Sequence, residues 1–212
     1  MSDPALADVP DPAPVRHTEI VYEGLVWDVR RDRVDLGSEI VTRDVVAHPG
    51  AVAILALDRR GRVALVQQYR HPVLTREWEV PAGLLDVAGE DPLLAAQREL
   101  AEEADLRAGR WAVLTDYFTS PGFTSEVIRI FLAEDLAEIP GDERHERFGE
   151  ERDMPLRWVD LDAAREAVLD GRLHNPHTVI AILVAHAQRE RAWSGLRPAE
   201  APWPERELLR RQ

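Results

Sequence analysis

Three glutamates, Glu99, Glu102 and Glu103, crowd into the run AAQRELAEEADL, and Arg98 is the one cation beside them. If residues 91–105 form a helix, steps of about 100° per residue bring these carboxylates within about a third of its circumference. Like charges three or four positions apart cost about 0.2–0.5 kcal/mol each on a helix surface, so a solvated face would interleave cations. Only Arg98, on the turn before Glu102, offsets them, and Glu90 adds another carboxylate at the entry to the segment. A lone glutamate pair is most often an ordinary solvated feature. Here the shared face, Glu90 and the preceding Pro-Ala-Gly turn at 81–83 point further. Hard oxygen donors with surplus charge are what Mg²⁺ or Mn²⁺ binds, completed by water and phosphate oxygens of a substrate. The chemistry expected is metal-assisted work on a phosphate.

Several elements must position that cluster. Asp91 and Pro92 suit the N-cap and first turn of the helix, with Leu93, Leu94, Gln97, Leu100, Ala101 and Ala104 expected on its inward side. AVAILALD, RVALVQQYR and REWEVPAG read as strands before it, the first two joined by a tight turn at 59–61. WAVLTDYF, SEVIRIFLAEDL and LRWV read as strands after it. Asp160 and Asp162 would cap a helix over 162–170, and Asn175 with Pro176 a second one that carries VIAILVAHA inward. His174 and His177, beside that second start, read as structural. Strands mixed with three helices predict an α/β domain whose sheet is covered on both faces. Earlier, 20–36 and 39–48 read as two strands of a small N-terminal antiparallel sheet about a Gly-Ser turn. The expected division is a disordered Pro- and Ala-rich leader (1–16), a β appendage (17–47), the main domain (48–192) and a Pro-rich tail lying loosely on the surface (193–212).

Composition narrows the functional classes. The chain has 26 basic and 39 acidic residues, a formal net charge of −13, which opposes non-specific attraction to a nucleic-acid backbone. Every Lys/Arg position is arginine, the residue suited to two-pronged bonds with phosphate or carboxylate. Cysteine is absent, which excludes disulfides, thiolate metal sites and thiol nucleophiles and suits a reducing, cytoplasmic home. AVAILAL and TVIAILVAHA fall short of the roughly 20 residues of a membrane-spanning helix, so no membrane partner is expected.

At the carboxylate helix the sequence resembles the Nudix hydrolases, whose box is G-x5-E-x7-R-E-U-x-E-E-x-G-U with U apolar. Gly83, Glu90, Arg98, Glu99, Leu100, Glu102, Glu103 and Leu106 match it. Glu90 follows Gly83 after six residues rather than five, and Asp105 replaces the helix-ending glycine. Asp tolerates positive φ, so a modestly strained helix end is expected at Asp105. The resemblance implies the Nudix α/β/α sandwich with a mixed sheet over roughly 48–190. It implies Mg²⁺, with Mn²⁺ possible, held by Glu99, Glu103, Glu102 and the carbonyl of Ala82. Arg98 would support the glutamates through a salt bridge and Glu90 would fasten the box.

Pro121, in TSPGFTSE, stands at an offset from the box that resembles the ADP-ribose pyrophosphatase branch, although Ser-Pro-Gly is also a plain turn. That branch implies hydrolysis of ADP-ribose to AMP and ribose 5-phosphate by a homodimer that swaps its early strands, here 17–47. Trp27 and Arg43 resemble positions that sandwich adenine; otherwise Trp27 is a core or interface aromatic. Arg70 would clamp phosphate and Glu79 bond adenine or ribose, unless the two pair with each other. Gly122 and Glu126 resemble substrate-contacting positions, Glu126 at the terminal ribose. In the acidic loop GDERHERFGEERDM the resemblance implies a general base, Glu151 with Glu150 second; His145 reads as a bystander. Other nucleoside diphosphate derivatives (nucleotide sugars, dinucleoside polyphosphates, NADH) are the alternative substrates, and a catalytically silent nucleotide sensor the contrasting class. Intact box glutamates and the lack of a basic DNA-reading module oppose the sensor.

Overall fold

The computed structural model describes residues 6–147 and 154–210. The chain forms two compact units, one of Met1–His48 with Ser120–Glu126 and Trp203–Gln212, the other of Pro49–Thr119 with Val127–Pro202.

In the smaller unit, β1 (Val15–Tyr22), β2 (Asp28–Asp35) and β3 (Ile40–Ala47) make an antiparallel sheet in that order. Three strands stand where two were expected. The run 20–36 breaks at 23–27, where the Gly24 N–H donates to Asp28 Oδ1 at 3.1 Å and a Cβ on Gly24 would lie 2.2 Å from the Trp27 carbonyl oxygen. Val15 and Arg16, expected in the leader, open β1, where Arg16 pairs with Asp35 at 2.7 Å. The sheet is laced by cross-strand charge and hydroxyl pairs, Arg31 to Asp44 at 2.7 Å and Thr18 to Asp32 at 2.9 Å among them. β3 is tied to the 120–126 segment: the Val46 N–H donates to Phe123 O at 2.8 Å, and Ser125 N–H to Val46 O at 3.0 Å.

The larger unit holds β4 (Ala51–Ala56), β5 (Arg62–Arg70), β6 (Thr75–Glu79), β7 (Ala82–Leu84), α1 (Pro92–Ala104), β8 (Leu106–Phe118), β9 (Val127–Glu138), β10 (Leu156–Asp160), α2 (Leu161–Leu169), α3 (Pro176–Glu190) and β11 (Arg197–Pro198). One sheet has the order β11-β8-β9-β4-β7, mixed because β4 and β9 run parallel; a second is antiparallel, β10-β5-β6. β4 is buried at every residue, as a central strand covered on both faces must be. Its Ala53 and Leu55 join Leu65, Ile130, Leu132 and Ile182 in the core, while α1 lies against β4 and β7.

REWEVPAG is two strands rather than one. At Val80 and Pro81 the chain leaves one sheet for the other: the Val80 N–H donates to Thr178 Oγ1 at 3.0 Å, and Pro81 O accepts from the Ile54 N–H at 2.8 Å. The stretch after Leu196 is not a loose tail. β11 pairs with β8, and buried Arg129 forks onto Asp116 (2.8 and 2.9 Å) and donates to Ala201 O at 2.7 Å and Pro202 O at 3.1 Å. Trp203 is buried and begins the last helix, Pro204–Leu209. No helix among the described residues is long and apolar enough to cross a membrane.

Candidate active site

Local chemistry sets the ends of α1. Asp91 caps it, its Oδ1 accepting from the Leu93 N–H at 2.8 Å, and Asp105 closes it in the left-handed region at φ 54°, its N–H shared between Ala101 and Leu100 carbonyls. The expected positive φ at Asp105 is therefore present. The buried face differs from the one read from the sequence. It is Ala95, Ala96, Leu100, Glu103 and Ala104, while Leu94 is 58% exposed. Small alanines let the helix approach β4 and β7, which rotates Glu103 inward from the outer face it was expected to share with Glu99 and Glu102. Its Oε2 accepts from the Ala82 N–H at 3.0 Å.

Arg98 gathers the remaining carboxylates. Its Nε and Nη2 bond the two oxygens of Glu90 at 3.1 and 3.0 Å, and its Nη1 reaches Glu99 Oε1 at 2.6 Å and Glu102 Oε2 at 3.3 Å. Hydrogen bonding from Arg98, reinforced by its charge, holds the Glu90 carboxyl below the usual range, and the guanidinium's own pKa is raised, chiefly by Glu90. Gly83, on β7, is needed for space: a Cβ there would lie 2.0 Å from the Glu99 carboxyl. The extra residue between Gly83 and Glu90 leaves the Glu90–Arg98 fork intact.

Glu99, Glu102 and Glu103 thus present hard oxygens from successive turns of one helix, beside a glycine that admits close approach. That donor set fits a hard divalent cation. Among the described residues no three Asp, Glu or His side chains already converge as a cage, because the carboxylates lie on Arg98 and on the Ala82 N–H.

Arg70 and Glu79, on β5 and β6, pair with each other. Nε bonds Oε1 at 2.8 Å and Nη2 bonds Oε2 at 2.6 Å, with Glu79 buried, and Arg70 Nη1 takes no part in the fork. His177 Nε2, on α3, lies 3.5 Å from Glu79 Oε2. Burial would raise the Glu79 carboxyl, but the hydrogen bonds from Arg70 and the closeness of Arg70 and His177 outweigh it and hold it below its ordinary value. Arg70 in turn is raised, first by its bond to Glu79.

In the smaller unit, Arg43 and Gly122 line one cleft of about 480 Å³ together with Arg30, Asp44 and Phe123. Trp27 is 43% exposed and does not line it. Glu126 Oε1 lies 3.5 Å from His48 Nε2; burial lowers the His48 pKa, partly countered by the Glu126 charge. Glu150 and Glu151, expected to supply the base, lie outside the described residues. Sequence reading missed His177 and His48 as carboxylate partners, and no local signal marks either, since each meets its glutamate from a distant part of the chain.

The model of the NUDIX domain matches residues 47–180. Over 190 residues, 89% of this chain and 90% of the relative, the sequence is 44% identical to an ADP-ribose pyrophosphatase of Mycobacterium tuberculosis. It is 34% identical over 166 residues to a methanol dehydrogenase activator of Bacillus methanolicus, 78% of this chain and 88% of that one. A crystal structure of an ADP compounds hydrolase shares the fold, with a TM-score of 0.71 at 18% identity, over 87% of this chain and 98% of the other. With the Arg98-centred box on its strand, loop and helix, and a family match spanning most of the sequence, the chain belongs to the Nudix hydrolase family.

Proposed function

We propose that the protein hydrolyses ADP-ribose to AMP and ribose 5-phosphate, as a cytoplasmic homodimer using Mg²⁺, with Mn²⁺ as the alternative cation. The observation that carries this reading is the knot of Arg98 with Glu90, Glu99 and Glu102 beside Glu103 and Gly83, in a chain 44% identical to an ADP-ribose pyrophosphatase. Cysteine-free composition supports the reducing compartment. The strand β1, exposed along its whole length with Ile20 and Tyr22 half open, supports a second chain as its cover.

Glu99, Glu102, Glu103 and the Ala82 carbonyl would hold the cation, which supplies positive charge against the diphosphate when bound. Arg98 holds Glu99 and Glu102 side by side, its charge offsetting their repulsion until a cation takes their oxygens. Glu79 holds Arg70 by two of its nitrogens, leaving Nη1 to a phosphate oxygen. Trp27 and Arg43 would enclose adenine, with Gly122 and Glu126 at the ribose end. Glu151, or Glu150 in its place, would take the proton of the attacking water as one P–O bond of the diphosphate breaks and the departing phosphate carries off the bridging oxygen.

The deciding assay measures AMP formation from ADP-ribose with Mg²⁺, beside a nucleotide sugar, a dinucleoside polyphosphate and NADH. ADP-ribose is expected to give the highest kcat/KM. A higher value for any of the others would replace it as substrate, and no turnover of any would favour a silent binding domain.

A further inference from the structure

The helix-ending position of the box, glycine by rule, is Asp105 here, and its carboxylate is engaged. Arg147 Nη2 donates to Asp105 Oδ2 at 2.8 Å, and Arg147 Nε donates to the Glu102 carbonyl at 2.7 Å, one of the last-turn carbonyls a helix leaves without an internal partner. The two side chains are 19% and 20% exposed, so the pair is mostly out of water. Around it, Arg144 Nη1 stands 3.8 Å from the same carboxylate, and the Asp105 carbonyl accepts from the Ile139 N–H at 2.8 Å. A cation at the C-terminal end of α1 is also favoured by the helix dipole.

Glycine would serve the turn itself better, since Asp105 sits at φ 54°, where a side chain is strained. What aspartate adds is a grip on Arg147. Arg147 is the residue just before 148–153, and on the far side Met154 is buried while the Pro155 carbonyl accepts from the Gln67 N–H of β5 at 3.1 Å. Both flanks of the stretch that contains Glu150 and Glu151 are therefore fastened, one of them to the carboxylate helix.

We propose that Asp105 is a positioning residue for catalysis: by holding Arg147 it sets where the chain carrying the general base departs from the helix that carries the metal-binding glutamates. This rests on the reading of a loop glutamate as base. The Asp105 carboxylate is taken up by Arg147, so its effect is on the placement of a proton acceptor, and small misplacements cost rate.

Asp105→Gly separates this from a structural role, because it removes the carboxylate while relieving the strained turn. The expected result is a melting temperature at or above that of the wild type with kcat lowered about tenfold and KM little changed. Arg147→Ala should lower kcat similarly, and the double variant no further, as two halves of one contact behave. Tryptic cleavage after Arg147 in the metal-free, substrate-free protein gives a second readout: freeing the guanidinium in Asp105→Gly should speed it about fivefold or more. Wild-type kcat in Asp105→Gly, additive losses in the double variant, or unchanged cleavage would overturn the proposal. If the wild-type chain does not hydrolyse ADP-ribose, the function proposed above fails on its own, and the cleavage comparison still decides whether Asp105 holds Arg147.

Discussion

Glu103 was expected beside Glu99 and Glu102 on an open face, where removing its charge would relieve repulsion. Buried, and accepting from the Ala82 N–H at 3.0 Å, it has a second task, holding β7 against α1. Glu103→Gln keeps an acceptor for that N–H and loses only the charge. Its metal-free stability should stay within about 1 kcal/mol of the wild type while metal-dependent turnover falls by about 10² or more. Near-wild-type turnover in this variant would remove Glu103 from the metal site. Glu79 makes a prediction of a different kind. Its carboxyl is held below the ordinary value of 4.5, so its contribution to stability is complete above that pH and is lost as pH falls through the lower, folded-state value. Melting temperatures of wild type and Glu79→Gln should therefore differ most near neutral pH, and the gap should narrow as pH falls below 4.5. A gap that stays constant down to acid would mean that the Arg70 and His177 contacts do not stabilise the ionised form.

At the scale of elements, the start of α3 is what holds the crossing between β6 and β7. Asn175 Oδ1 caps α3 by accepting from the Thr178 N–H at 3.2 Å and from its hydroxyl at 3.1 Å, which leaves that hydroxyl oxygen to accept from the Val80 N–H at 3.0 Å. Thr178 is fully buried, so Thr178→Val keeps the shape but orphans a buried donor. A loss of about 1–3 kcal/mol is expected by chemical denaturation, with the slope of the transition unchanged. A neutral result would mean that water reaches the Val80 N–H. The same contact explains what sequence could and could not tell. The ends of α1 were legible because Asp91, Pro92 and Asp105 act within a turn of themselves. The break at Val80 was not, because its cause lies on a helix nearly a hundred residues later, and Pro81 alone reads equally well as a strand edge. Alanines hid the buried face of α1, since Ala95 and Ala96 carry little hydrophobic signal beside Leu93 and Leu94. The docking of the C-terminal stretch depends on Arg129, whose partners at Ala201 and Pro202 are backbone carbonyls that no residue type advertises.

Across the whole molecule, a net charge of −13 repels an anionic substrate, so phosphate affinity must come from local cations, the proposed metal ion among them, rather than from the protein's overall field. The proposed homodimer gives the sharpest test at this scale. If the 17–47 strands exchange between chains, Trp27 of one chain serves the adenine held at the box of the other. Trp27→Ala alone should lose stacking and fall about tenfold or more in kcat/KM, and Glu103→Gln alone should be nearly inactive. When the two are mixed and their subunits exchange, each heterodimer has one site in which both residues are wild type, because they come from different chains. Random exchange makes about half of the dimers mixed, so about a quarter of the wild-type rate should return. Native mass spectrometry reports the heterodimer fraction and the AMP assay reports the rate. Recovery in proportion to the heterodimer places Trp27 across the interface; exchange without recovery assigns Trp27 to its own chain's site or to none.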